Sequence, residues 1–189
     1  MTPPKVITIE LEVLKKDQAE SGHRSRSVAR IFNIEEIMYI MPGVQKNRAC
    51  IYTKTDVFTT YDNYKTIVGK LCALGKTQIQ DNCITIVPCM FYVIGKKHVV
   101  QGASIDNVLM DEKGAKKLLL KRDDWKAEIT LHTAEEKADA RKAWASSCVA
   151  ACLAQRDRFA AYGEAFEQRC RQSDATQKQL DTMVEQMQH

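Results

Sequence analysis

The sequence predicts an α+β protein: a duplicated β-β-β-β-α unit with antiparallel sheets, followed by a long C-terminal helical extension. Three observations predict it. First, Asn33-Ile34-Glu35-Glu36-Ile37-Met38-Tyr39-Ile40 is echoed by Ser104-Ile105-Asp106-Asn107-Val108-Leu109-Met110. Second, each block leads into a polar turn, Pro42-Gly43 or Lys113-Gly114. A strand-like run that ends in basic residues and Asp comes next, Cys50 to Asp56 or Leu118 to Asp123, then a further strand and a helix. Third, the chain from Thr133 onward is rich in Ala, Glu, Gln, Arg and Lys, with apolar residues at steps of three or four. The repeats cover about residues 5–75 and 82–145. Residues 1–145 form one domain and 146–189 a helical extension or hairpin.

Ile7, Ile9, Leu11 and Val13 alternate with polar residues, the period of a half-buried strand. Residues 15–27 lack an apolar period and read as a loop carrying two basic clusters. A second strand runs from Val28 to about Ile40 with a bulge near Asn33, a third from Arg48 to Thr55 and a fourth from Val57 to Tyr61. Asp62 then caps a helix whose inner face is Tyr64, Ile67, Val68 and Leu71, with Gly75 as its stop.

The second round starts at Cys83–Val87, with Pro88 confining that strand to an edge or a bulge. Phe91–Ile94, Val99–Met110, Lys117–Arg122 and Trp125–His132 complete it. Thr133 with Glu136 three residues on forms a capping box. The helix then runs to about Arg171, and Ser173 caps a last one bearing Leu180, Val184 and Met187. The long helix outreaches a small sheet, so its far half packs on a hairpin partner or on another chain.

At 189 residues and 44% hydrophobic composition, the chain has enough apolar mass for a core. No apolar run approaches the roughly 20 residues that span a bilayer, and the start has no signal-peptide pattern, so the expected setting is intracellular with no membrane. Seven cysteines without framework spacing read as small buried hydrophobes. Cys148 and Cys152 lie one helical turn apart but lack further ligands at a zinc spacing, so no metal and no cofactor are expected. Residues 1–131 hold 20 Lys and Arg against 15 Asp and Glu, or +5, and residues 132–189 hold 8 against 9, or −1. The excess positive charge lies in the strand-rich part, where an anionic partner would bind.

Binding an unpaired polynucleotide takes cations along a backbone track and flat rings on which bases stack. The candidates are Arg24 and Arg26 in the loop and Arg30, Lys46, Arg48, Tyr52 and Lys54 in the first repeat. The second repeat offers Lys96, Lys97, His98, Lys116, Lys117, Lys121, Arg122 and Trp125. Tyr52 and Lys54 share a strand face, which sets a ring beside a phosphate contact. Each lysine alone reads as sheet-edge protection, and Trp125 reads equally as a core anchor. There is no phosphate-binding Gly-rich motif, nucleophile elbow, His-Glu-x-x-His or close carboxylate pair, so catalysis is not expected.

Two rounds of four strands and a helix, over residues 5 to about 150, resemble the whirly fold, which PUR-type nucleic-acid-binding proteins share in related form. With its size and helical extension, the chain is similar to the whirly-like RNA-binding proteins of nucleus-forming jumbo phages. The plant members' Lys-Gly-Lys-Ala-Ala-Leu segment has its nearest counterpart in Gly114-Ala115-Lys116-Lys117-Leu118-Leu119, which lies in the other repeat. No binding residue is carried over from it. The resemblance implies binding of single-stranded RNA or DNA across the sheet, RNA preferred, homo-oligomer formation, and for a phage protein the host cytoplasm. Ile34–Ile40 is also similar to a strand of LytTR-type duplex-DNA regulators, but the basic His-Arg-Ser strand that those domains need later in the chain does not follow it. An assembly or adaptor protein acting through its long helix is the other reading.

Overall fold

Ile9, Leu11 and Val13 bury while Thr8, Glu10 and Glu12 stay exposed, and this alternation forms β1 (Thr8–Leu14). The computed structural model describes residues 6–14, 27–45, 48–78 and 82–187. In it β1 pairs antiparallel with β2 (Ser27–Asn33). A single 3-10 turn, Ile34–Glu36, then redirects the chain, with Asn33 Oδ1 accepting from Glu35 N at 3.0 Å. The strand expected over 28–40 is therefore two strands, because the Asn33 side chain offers the backbone a local bond in place of a ladder bond.

β3 (Ile37–Pro42), β4 (Ala49–Thr53) and β5 (Val57–Thr60) follow as an antiparallel meander. Helix α1 (Tyr64–Leu74) buries Ile67 and Leu71. Its cap is Asn63 rather than the expected Asp62: Asn63 Oδ1 accepts from Thr66 N at 2.8 Å, while Asp62 takes Lys70 Nζ at 3.0 Å. Gly75 ends the helix in extended backbone. A Cβ there would stand 2.4 Å from Thr85 O, so close approach to the next strands, and not a left-handed stop, requires glycine.

The second half runs through β6 (Lys76–Gln78), β7 (Cys83–Ile86), β8 (Cys89–Ile94) and β9 (His98–Gln101). A second 3-10 turn, Gly102–Ser104, splits the strand expected over 99–110. β10 (Ile105–Asp111), β11 (Gly114–Arg122), β12 (Trp125–Thr130) and helix α2 (Ala134–Met187) follow. The order of two strands, 3-10 turn, three strands and helix thus occurs from β1 to α1 and again from β8 to α2. The turns align Ile37 with Ile105, three residues away from the match of Ile34 with Ile105 expected from sequence.

Pairing is not the same in the two halves. One nine-stranded sheet has the order β2-β1-β5-β4-β3-β9-β8-β7-β6, while β10-β11-β12 form a separate three-stranded sheet. One core, with Ile34, Ile37, Ile40, Ile51 and Phe91, packs with Ile67 and Leu71 of α1. The other, with Tyr39, Tyr92, Ile94 and Val100, packs with Leu118, Leu120 and Ile129 of the small sheet and Ala140 and Ala143 of α2. Burying each such aliphatic side chain contributes roughly 1.5–3 kcal/mol.

The chain divides into two units, Met1–Ser147 and Cys148–His189. In the second, α2 runs unbroken to Met187, so neither the new helix start expected at Ser173 nor a hairpin is present. Without Gly or Pro at that point, a single Ser lowers helix propensity too little to stop it. Among the described residues, no helix is long and apolar enough to cross a membrane.

Candidate nucleic-acid interface

The β11–β12 hairpin gives the small sheet two unlike faces. Its two-residue turn, Asp123-Asp124, with Asp123 at φ 53°, fixes the register Arg122↔Trp125, Lys121↔Lys126, Leu119↔Glu128 and Lys117↔Thr130. Strand alternation then sends Leu118, Leu120, Trp125, Ala127 and Ile129 toward the nine-stranded sheet. The opposite face carries Lys117, Lys121, Lys126 and Glu128.

On that outer face Lys117 Nζ pairs with Glu128 at 2.6 Å. Lys121 and Lys126, both exposed, are cross-strand neighbours with no acidic partner among the described residues. Like charges directly opposite each other destabilise a sheet. They border a depression of about 490 Å³ that Asp106, Leu119 and Glu128 also line.

Across the edge strand β12 lies a cleft of about 350 Å³ between the two sheets. Tyr39, Met41, Tyr52, Lys97, His98 and Glu136 are among its walls. Tyr39 and Tyr52 stack at 5.3 Å between centroids, and Tyr52 meets Trp125 at 6.4 Å. The Tyr39 hydroxyl is 2.6 Å from His98 Nδ1. Burial, then the neighbouring phenol of Tyr52, raises the Tyr39 pKa well above the ordinary phenol range, so the hydroxyl beside His98 keeps its proton. Burial likewise lowers the His98 pKa, and Lys97 lowers it further against the pull of Glu136.

The start of α2 closes one end of the cleft. Glu136 Oε2 accepts from His132 N at 2.7 Å and Thr133 N at 3.1 Å, and Thr133 Oγ1 accepts from Glu136 N at 3.1 Å, the expected capping box. Burial works to raise the Glu136 pKa, but the two backbone N–H groups, Lys97 and His98 outweigh it and hold it below the usual carboxylate value. Gly95, at φ +57°, lets the β8–β9 turn come close: a Cβ there would lie 2.2 Å from Glu136 Cγ.

The residues expected from sequence separate into groups. Arg24, Arg26 and Lys46 lie outside the described residues. Arg30 stacks over Phe58 at 4.1 Å and Arg48 over Tyr61 at 4.8 Å, both away from the hairpin on β2 and before β4. Lys54 pairs with Asp123 at 3.0 Å, Lys96 with Glu135 at 3.1 Å and Lys97 with Glu136 at 3.6 Å. Lys116 and Lys121 are exposed on β11.

Arg122 turns inward, donating to Gln101 Oε1 and, at 3.0 Å, to Glu35 O. It joins the two 3-10 turns and is not presented on the open face. Nor do Tyr52 and Trp125 stand on an open sheet surface: both are half-buried at the cleft. The hairpin and cleft therefore gather Tyr52, Lys54, Lys97, Lys117, Lys121 and Trp125. Sequence reading missed Lys126, whose place follows from counting back across a two-residue Asp-Asp turn. It also missed Tyr39, which gave no local signal; His98 is among the expected residues and Glu136 is expected only as part of the helix cap, and the cleft brings all three together.

The chain matches no protein-family model and no curated protein sequence.

Proposed function

We propose that the first unit binds single-stranded nucleic acid, RNA in preference to DNA, without catalysis and largely irrespective of sequence. The backbone runs over Lys121 and Lys126, and an unpaired base crosses the β12 edge to stack in the cleft at Tyr52 and Trp125. The observation that carries this reading is the uncompensated Lys121–Lys126 pair, one strand away from an aromatic cleft. A fold that sets two ammonium groups opposite each other gives up sheet stability, and a polyanion restores it. The half-open aromatic walls favour a single strand, because a base paired within a duplex is not free to enter.

The fold reading goes with it. The recurring element order supports a duplication, although each round has five strands where the expected unit has four and the two rounds pair differently. RNA preference follows from the whirly-like resemblance. The test is fluorescence anisotropy with unstructured RNA, unstructured DNA and a duplex of equal length, at about 50 and 200 mM salt. The reading expects single strands to bind more tightly than duplex, RNA first, with affinity falling at the higher salt. Equal or tighter duplex binding, or none at low salt, would overturn it.

A further inference from the structure

In the second unit residues 151–176 are all exposed, and one spacing runs through them, with Val149 and Leu153 lying off it. Cys148, Cys152, Gln155, Phe159, Tyr162, Phe166, Arg169, Ser173 and Thr176 alternate steps of four and three, and Leu180 and Met183 continue the spacing in the sequence. This is the heptad seam of a coiled coil, with Cys152, Phe159, Phe166 and Ser173 at a and Cys148, Gln155, Tyr162, Arg169 and Thr176 at d. Phe159, Tyr162 and Phe166 are 66%, 74% and 68% exposed, and neither core cluster includes them. A seam of this period accepts the knobs of another helix. α1, with 11 residues, is the only other described α-helix and already buries its inner face.

We propose that this seam pairs with the same segment of a second copy as a two-stranded antiparallel coiled coil, in a register that sets Tyr162 against Phe166 of the other copy. An antiparallel pair places each a position against a d position. In this register Phe159 meets Arg169, a cation over a ring face. Gln155 meets Ser173, polar against polar, and Cys152 meets Thr176. The two-fold axis passes beside residue 164, and each contact occurs twice, as an isologous pair requires. The flank agrees: Arg156 of one copy lies along the edge that carries Glu167 and Asp174 of the other. Gly163 is unfavourable within a helix, and nothing in its own chain lies within 4 Å of where a Cβ would stand. It falls at an e position beside the axis, where the e positions of the two copies face each other. A parallel in-register pair would stack Arg169 on Arg169 in the seam and leave Arg156 without an acidic neighbour across it.

The register is tested by crosslinking the full chain. With Cys148 and Cys170 replaced by Ser, Thr176→Cys should give a covalent dimer through native Cys152 on mild oxidation, and the same chain without Thr176→Cys should not. A bond within one chain is ruled out because the two positions are about 36 Å apart along the helix. Sedimentation should show a dimer that Phe166→Asp converts to monomer, with unchanged helix content. A monomer at every concentration, or a dimer crosslinked through Cys152 alone, would overturn the proposal.

Discussion

Lys121 and Lys126 stand directly opposite each other on the outer face of β11 and β12. Exchanging one ammonium for a carboxylate creates a cross-strand ion pair, so Lys126→Glu should stabilise the fold by about 0.2–1 kcal/mol. The same change should weaken nucleic-acid binding. Urea denaturation and anisotropy on one preparation check both. A loss of stability would show that the lysines are already compensated in the fold.

His98 and Glu136 set the response to acid. The folded state lowers the His98 pKa, so the unfolded chain takes up its proton first as pH falls. The stability from neutral His98 is complete above about pH 6.5 and is lost as pH drops through the lowered folded value. Glu136, also lowered, adds a second loss below its ordinary value of 4.5. Urea midpoints against pH should fall in these two windows, and His98→Gln should flatten the first and, by removing one of the charges that hold Glu136 down, shrink the second. Parallel profiles for both proteins would contradict this.

Arg122 is held within the frame by its bonds to Gln101 and to Glu35 O. Gln101, 1% exposed, spends its Nε2 on Ile34 O at 3.3 Å and Cys89 Sγ at 3.2 Å, and its Oε1 receives Arg122. Arg122→Leu leaves that oxygen buried without its donor and should cost about 1–3 kcal/mol. Binding per folded molecule should be unchanged. A selective loss of binding with normal stability would return Arg122 to the site.

What was legible in the sequence follows the range of the forces involved. The alternation of Ile9, Leu11 and Val13 and the Thr133–Glu136 capping box are local, and each reads directly as structure. The 3-10 turns were half legible: Asn33 marked a break in the first strand, and Gly102 in Gln101-Gly102-Ala103-Ser104 is the corresponding, weaker mark in the second. The pairing of β3 with β9 and the separation of β10–β12 depend on contacts far apart in sequence, which periodicity does not encode. The site divides the same way. Lysines on β11 were visible as a basic strand, while the inward turn of Arg122 and the contact of Tyr39 with His98, 59 residues on, exist only once the sheets pack.

The most direct test of single-strand binding across β12 is the salt slope of affinity for unstructured RNA. Each phosphate neutralised contributes a slope of about −0.7 for a single strand. The double variant Lys121→Gln, Lys126→Gln should therefore flatten the plot of log affinity against log salt by about 1.4, with tight packing at Tyr39 and Tyr52 retained. A slope unchanged from the wild type would contradict the account.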